Sequence, residues 1–231
     1  PLDQIKLADI MVALPAYNEA TALPEVIQSI RSAGFDRILI VDDGSSDMTS
    51  EVAKSAQVNF VQHPINLGAG AAVQTAIELA RFQHWPYLIF MDADGQHLAT
   101  DLIRMFEQLH TQDGDLVIGS RFLEKNNQIP AIRRFYNQIA NILTNTFCQG
   151  SYSDTQSGFR LLGKKAINEI NLHQDDFSYC SEMILHAEQQ QLKIVECPIS
   201  VRYTSYSMQK GQDFQVGITT AFNFLWKLLF R

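Results

Sequence analysis

Tyr87-Leu88-Ile89-Phe90-Met91 runs directly into Asp92-Ala93-Asp94-Gly95-Gln96-His97, an apolar strand that ends on two carboxylates one residue apart. Apolar residues without polar alternation are what a strand buried on both faces requires, as in the parallel sheet of an α/β protein. An acidic cluster at the carboxyl end of such a strand falls where open α/β sheets keep their ligands. In an extended Asp-x-Asp the side chains at i and i+2 leave the same face. Asp92 and Asp94 can therefore both reach one hard divalent cation and the phosphate oxygens it bridges. The plain alternative is a solvated turn in which one of the two caps the next helix, and a bare Asp-x-Asp does not exclude it.

Working outward, the same pattern recurs. Ile10-Met11-Val12-Ala13-Leu14 is a short β run broken by Pro15, followed by a helix to about Ser32 that Asn18 or Thr21 can cap and Gly34 ends. Arg37-Ile38-Leu39-Ile40-Val41 closes on Asp42-Asp43-Gly44-Ser45-Ser46-Asp47, with a helix to about Ala56 behind it. Val58 to Val61 reads as a third strand, and Asn66-Leu67-Gly68-Ala69-Gly70 leads into an Ala-rich helix from Ala71 to Phe82. A helix from Asp101 to His110 and a strand from Asp115 to Gly119 follow the Asp-x-Asp. Strands alternating with helices predict an α/β fold, a Rossmann-like, mostly parallel sheet flanked by helices. The alternation holds to about residue 120, and the chain beyond is more irregular. The reading is one domain over 1–231, with a nucleotide-type doubly wound half at about 10–120 and a second half at about 121–231 where an acceptor and its selectivity would be built.

Composition narrows the function. With 231 residues and 46% hydrophobic content the chain can bury a large core. A net charge of -7 argues against a nucleic-acid-binding surface, which needs clustered Lys and Arg. Cys148, Cys180 and Cys197 are widely spaced and odd in number, so neither a disulfide framework nor a Cys-x-x-Cys metal site is indicated. Pro1 to Lys6 lacks the basic and apolar regions of a signal peptide, and no apolar run reaches the ~20 residues of a membrane span. The expectation is a cytoplasmic protein, soluble or peripheral on the cytoplasmic membrane face, with self-association left open.

Three strand ends carry polar clusters: Pro15-Ala16-Tyr17-Asn18-Glu19, Asp42-Asp43-Gly44-Ser45 and Asp92-Ala93-Asp94. Successive parallel strands bring all three to one edge. There Tyr17 can line a base pocket, Asp42 or Asp43 can accept hydrogen bonds from a base or ribose hydroxyl, and Asp94 can hold a metal on a diphosphate. Together with Asn66 to Ala72, Gly119-Ser120-Arg121 and Asp154-Thr155-Gln156-Ser157-Gly158-Phe159-Arg160, these segments resemble the family 2 glycosyltransferases of the GT-A fold. The last two are similar to those of the dolichyl- and polyprenyl-phosphate mannose or glucose synthases.

The resemblance runs from about Ile10 to Tyr203 and implies a metal-dependent hexosyltransferase that inverts the sugar of a UDP- or GDP-linked donor. It implies that Pro15, Tyr17, Glu19, Asp42 and Asp43, with Asp92, hold the nucleotide. Asp92, Asp94 and Gln96 would bind Mg²⁺ or Mn²⁺ with the diphosphate, and Arg121 and Arg133 would grip an acceptor phosphate. Oxygen ligands suit such hard cations, and a divalent ion neutralising the departing nucleoside diphosphate is Lewis-acid catalysis. The glycines near Asn66 lack the third member of a dinucleotide fingerprint and read as a tight turn that lets the helix beginning near Ala69 pack closely on the sheet.

The acceptor decides what attacks the sugar. A sugar hydroxyl is nearly neutral at pH 7 and needs a carboxylate base, for which Asp154 is the candidate, whereas a lipid monophosphate is already anionic and needs cationic clamps. Arg121, Arg133, Arg134 and Arg160 lie in the acceptor half, Arg134 reading as a surface residue. Asn137 stands where the synthases often place a serine, and Ser157 and Arg202 complete the expected acceptor set. Where the synthases follow with Arg-x-x-Gly-x-Ser-Lys, this chain has Arg202-Tyr203-Thr204-Ser205-Tyr206-Ser207-Met208-Gln209-Lys210-Gly211-Gln212, in which Arg202 or Lys210 can close over the donor. Ile129 to Phe147 and Phe214 to Arg231 read as amphipathic helices for a membrane interface, the core or a partner subunit. His97 reads as a surface histidine, and Glu182 as a helix-surface or acceptor-facing acid.

The expectation is thus sugar transfer to a polyprenyl phosphate. The alternatives are a glycan hydroxyl acceptor in cell-surface polysaccharide synthesis, or an inactive nucleotide-sugar-binding protein. A nucleotidyltransferase would carry a Gly-rich basic loop after the first strand, where this chain has Ala16-Tyr17-Asn18-Glu19.

Overall fold

The computed structural model describes residues 7–203. A 3₁₀ turn, Leu7–Asp9, leads into β1 (Ile10–Ala16). The first half continues through α1 (Leu23–Ser32), β2 (Ile38–Asp42), α2 (Thr49–Ser55), β3 (Asn59–Gln62), α3 (Ala69–Phe82), β4 (Tyr87–Phe90), α4 (Asp101–Thr111) and β5 (Leu116–Ser120). The second half adds α5 (Ala131–Phe147), β6 (Arg160–Gly163), α6 (Lys164–Glu169), α7 (Tyr179–Gln189) and β7 (Ile194–Pro198). Lys210 and the Phe214 to Arg231 segment lie outside the described residues.

The strands form a seven-stranded sheet in the order β3-β2-β1-β4-β6-β5-β7. β1 pairs in parallel with β2 on one side, Ala16 opposite Asp42, and with β4 on the other, Ala13 opposite Phe90. The strand order reverses across the β1/β4 pair, and that is where open α/β sheets form a crevice beyond their carboxyl ends. β6 runs antiparallel to both neighbours, with Arg160 opposite Phe90 of β4 and Ile118 of β5. The expectation of a mostly parallel sheet holds, while this inserted antiparallel strand was not legible from Arg160-Leu161-Leu162-Gly163, which is too short to carry a period. Because β6 starts at the edge where β1, β2, β4 and β5 end, the loop before it joins their carboxyl-end loops.

Each central strand feeds two cores. Ile10, Val12 and Leu14 of β1, with Ile38, Ile40 and Ile89, pack under α1, α2 and α4; Met11, Ala13, Leu39, Val41, Leu88 and Phe90 pack under α3, α6 and α7. This two-sided burial is why the strands read as unbroken apolar runs. α1 turns Leu23, Val26, Ile27 and Ile30 to the sheet, begins without a side-chain cap and ends before Gly34 at φ 91°. Asn18 and Thr21 therefore do not cap it, and Asn18 is engaged elsewhere.

α5 inverts the usual rule. Its buried residues are Asn141 and Thr144, whereas Ile132, Phe135, Ile139 and Ile142 are exposed among the described residues, Ile142 to 66%. The buried amides are satisfied. Asn141 donates to Ser153 O and accepts from Thr155 N, and Asn145 exchanges two bonds with the Tyr152 backbone. The polar face of the helix orders the loop that leads to Asp154, and the apolar face points away from both cores.

Candidate active site

The first two polar clusters are stitched into one wall. Asn18, at φ 54°, accepts Ser46 N at 2.8 Å and Asp47 N at 3.2 Å on its side-chain oxygen, while Asn18 N donates to Ser45 Oγ and Glu19 N to Thr49 Oγ1, both at 2.8 Å. Asp42 accepts Ser45 N at 2.9 Å and the Ser50 hydroxyl. Asp43 accepts Leu67 N at 2.9 Å, Gly68 N at 2.7 Å and the His63 ring at 2.7 Å, and His63 is held in turn by Thr75. Both carboxylates are closed to solvent. As placed, both carboxylates are taken up in shaping the two loops, while Tyr17 beside them is exposed, at 45%, and Pro15 and Glu19 are half-buried.

Gly68 and Gly70 serve packing, not phosphate. A Cβ on Gly68, at φ 110°, would meet Asp175 O at 2.2 Å, and one on Gly70 would meet Gln174 O at 1.9 Å. Gly70 N donates to Asp175 O. The tight-turn expectation holds, but the surface it fits is the 174–175 loop, not the sheet. Glu182 accepts the backbone N–H groups of His173 and Gln174, so it steadies this loop rather than an acceptor.

At the end of β4, Asp94 accepts Gln96 N at 2.9 Å and the Gln96 side-chain amide, which ties two of the three candidate ligands into one turn. Burial raises the Asp94 carboxyl above its ordinary range, and the like charge of Asp92 adds to it. Asp92 keeps 47% of its side chain open, and burial of the rest raises its carboxyl, with Arg121 opposing. Gly158 lets the loop before β6 pass against it, since a Cβ there would sit 2.6 Å from Asp92 Oδ1.

Two adjacent carboxylates that disfavour each other's charge, with a neighbouring amide oxygen, form an all-oxygen donor set that a hard divalent cation relieves. The residues fit such an ion. Among the described residues no group of three His, Cys, Asp or Glu side chains is placed to hold a metal ion.

His97 is not on the surface. It is 6% exposed, stacked on Phe159 at 4.8 Å, with Nδ1 3.5 Å from Asp92 N and 3.6 Å from the Asp92 carboxylate. Burial holds the ring neutral, its pKa lowered to about 4. Its position beside the motif was visible in the sequence, but its burial depends on Phe159, sixty residues away in the chain.

On the acceptor side, Arg121 makes a bidentate pair with Asp154, Nε to Oδ2 at 2.7 Å and Nη2 to Oδ1 at 2.8 Å, and its backbone N adds a third bond. Burial disfavours the guanidinium charge, but Asp154 overrides it and raises the pKa beyond the ordinary arginine value. Asp154 is fully buried with both oxygens engaged. This corrects its candidacy as a catalytic base: the carboxylate is closed to solvent and its charge is committed to Arg121, so no hydroxyl reaches it.

Arg160 is corrected as well. It is fully buried, donating Nε to Ser157 O and Nη2 to Thr155 O, and so braces the 154–159 loop from behind. Ser157, also buried, turns its hydroxyl toward Phe159 N. Neither reaches an acceptor. Arg133 and Asn137 lie one turn apart on α5, partly exposed, and Arg134 is exposed as expected.

The segment after β7 closes the constellation. Arg202 N donates to Gln96 O at 2.8 Å, and Val201 bridges His97. Asn127 holds this segment to the arginine loop, donating to Arg121 O and Ile199 O at 2.8 Å and accepting Val201 N at 3.0 Å. The Arg202 side chain is exposed, whereas Tyr203 turns in, its ring 5.4 Å from the Arg133 guanidinium. Asn127 and Tyr203 were missed in the sequence, because no local signal marks an asparagine in a polar loop or a tyrosine between two strand-end motifs.

The strand-order reversal thus brings an acidic pair, Asp92 and Asp94, and the arginine loop of Arg121 to one edge of an open α/β sheet, the place where such folds bind their ligands. The glycosyl transferase family 2 model matches residues 11–170, and the chain belongs to that family. It is 34% identical over 236 residues to an uncharacterised protein of Methanocaldococcus jannaschii, covering all of this chain and 95% of that one. It is 29% identical to the UDP-N-acetylglucosamine–dolichyl-phosphate N-acetylglucosaminyltransferase of Methanococcus voltae, over 95% of this chain and 94% of the relative. Its fold matches glucosyl-3-phosphoglycerate synthase of Mycobacterium tuberculosis, solved with Mn²⁺ and UDP-glucose, at TM-score 0.66 and 16% identity, covering 93% of this chain and 78% of that one.

Proposed function

We propose that this glycosyltransferase moves one sugar from a nucleotide diphosphate donor to a polyprenyl monophosphate, with inversion. An acceptor phosphate oxygen attacks the anomeric carbon while the bond to the nucleoside diphosphate breaks on the opposite face. The observation that carries the phosphate acceptor is the Arg121–Asp154 pair: the carboxylate that would have served a hydroxyl acceptor is buried under an arginine. A phosphate needs no base, and a guanidinium carries more N–H donors than the two that Asp154 takes from the Arg121 side chain. The Methanococcus voltae relative, whose name gives dolichyl phosphate as acceptor, points the same way.

Asp92, Asp94 and Gln96 would hold Mg²⁺ or Mn²⁺, which when bound neutralises charge on the leaving diphosphate. Tyr17 would line the base, and Pro15 and Glu19 would border the nucleoside on the wall built by Asp42 and Asp43. Arg133 would provide the second cation for the acceptor, with Asn137 and Arg202 beside it. The exposed apolar stripe of α5 would rest on the cytoplasmic face of the membrane, where such a lipid is met. Among the described residues no helix is long and apolar enough to cross a membrane.

The test is metal-dependent nucleoside diphosphate release from a panel of UDP- and GDP-sugars, with and without a short polyprenyl phosphate, for the native protein and Asp94→Asn. Release should be stimulated by the lipid and fall roughly a thousandfold in the variant, since metal stabilisation is several kcal/mol. Stimulation by a glycan alone, or no donor binding at all, would overturn the proposal.

A further inference from the structure

Tyr203 sits where the donor loop and the acceptor arginines meet. Its backbone follows Val201 and Arg202, which are hydrogen-bonded along Gln96 and His97 of the metal turn, and Asn127 fixes the same segment to the Arg121 carbonyl. Its ring lies under Arg133, and Arg121 is the cation that faces its hydroxyl. The hydroxyl is buried, and among the described residues no acceptor takes its proton. A guanidinium can donate to a phenol oxygen but cannot accept from it, so two arginines leave the O–H hydrogen without a partner. Buried polar hydrogens are ordinarily satisfied, and an exception asks for what is missing. The missing partner here is an acceptor atom, and with cations on both sides an anionic one is favoured.

We propose that Tyr203 is an acceptor-binding residue whose hydroxyl donates a hydrogen bond to an oxygen of the acceptor phosphate held between Arg121 and Arg133. The inference rests on the phosphate-acceptor reading above and adds to it a third, neutral donor. Two arginines bind any anion of suitable size; a fixed phenol between them selects one that leaves an oxygen directed at the Gln96–His97 turn. The same hydroxyl ties acceptor placement to the donor loop through a continuous stretch of hydrogen-bonded backbone. Positioning of the attacking oxygen against the sugar is then set by Tyr203 as well as by charge.

Tyr203→Phe tests this without disturbing the ring on Arg133. Binding of a water-soluble isoprenyl monophosphate is measured by calorimetry, beside steady-state KM for the lipid and for the nucleotide sugar. The variant is expected to bind the isoprenyl phosphate about tenfold more weakly, as for one hydrogen bond to a charged group. Its KM for the lipid should rise in parallel, with KM for the donor and thermal stability unchanged. Equal binding by the two proteins, an equal loss for donor and acceptor, or no phosphate binding by the native protein would each overturn it. The two proposals separate in the native enzyme. Phosphate binding weakened by Tyr203→Phe without any sugar transfer to the lipid would leave the Tyr203 assignment standing and remove the polyprenyl-phosphate transferase reading.

Discussion

Replacing Asp154 by Asn separates an arginine clamp from a catalytic base. The carboxylate accepts Arg121 N at 3.0 Å, Nε at 2.7 Å and Nη2 at 2.8 Å, is fully buried, and leaves the Arg121 side chain 16% exposed. An amide of the same shape keeps one acceptor oxygen and points an NH₂ at a cation, so the buried guanidinium loses its counter-charge and at least one bond. Breaking a buried pair from one side costs about 3–5 kcal/mol, and the residual exposure of Arg121 places this case near 3 kcal/mol. Urea denaturation should show that loss as a lower midpoint with an unchanged slope. Acceptor KM should rise with the loosened arginine while donor KM stays constant. Replacing both residues, Arg121→Met with Asp154→Leu, should recover most of the stability and none of the activity, since an apolar pair of similar volume is tolerated where a lone charge is not. The reasoning is refuted if Asp154→Asn leaves stability and acceptor KM unchanged while kcat falls a hundredfold or more, the signature of a lost base.

Two further outcomes follow from the packing. Gly70→Ala places a methyl 1.9 Å from Gln174 O, a backbone atom that cannot swing aside, so α3 and the 174–175 loop must part. A loss of about 3 kcal/mol or more is expected in the same denaturation assay, overpacking being costly where backbone blocks relief. Ile142→Glu on the exposed stripe of α5 should leave stability within about 0.5 kcal/mol and turnover on a soluble isoprenyl phosphate unchanged. It should weaken flotation with anionic vesicles about tenfold, the weight of one buried aliphatic side chain; equal flotation would remove the membrane role of that face.

Much of the first half was legible in the sequence because its information is local. Buried parallel strands are unbroken apolar runs, so β1, β2 and β4 announce themselves, and each ends where a polar cluster starts. Periodicity found α1, α3, α4 and α5 within a few residues. The edge on which Tyr17, Asp42, Asp92 and Arg121 gather follows from parallel strands alone, and the one-residue spacing of Asp92 and Asp94 already puts two carboxylates on one side of an extended segment.

Which way the side chains of the second half face was decided only in three dimensions. Asp154 and Arg160 are ordinary charged residues until β6 enters the sheet antiparallel between β4 and β5, which buries one under Arg121 and sends the other into the core. The helical period of α5 fixes that one face is apolar; it does not fix which face turns inward. The Asn141, Thr144 and Asn145 contacts to the 152–155 loop and Ser181 make that the polar one. Tyr203 and His97 likewise acquire their surroundings from partners far away in the chain. Residue type and spacing determine which chemistry a segment can perform, since both act within a turn or a strand. Burial and pairing are set by contacts across the sheet, and they determine which of those residues do perform it.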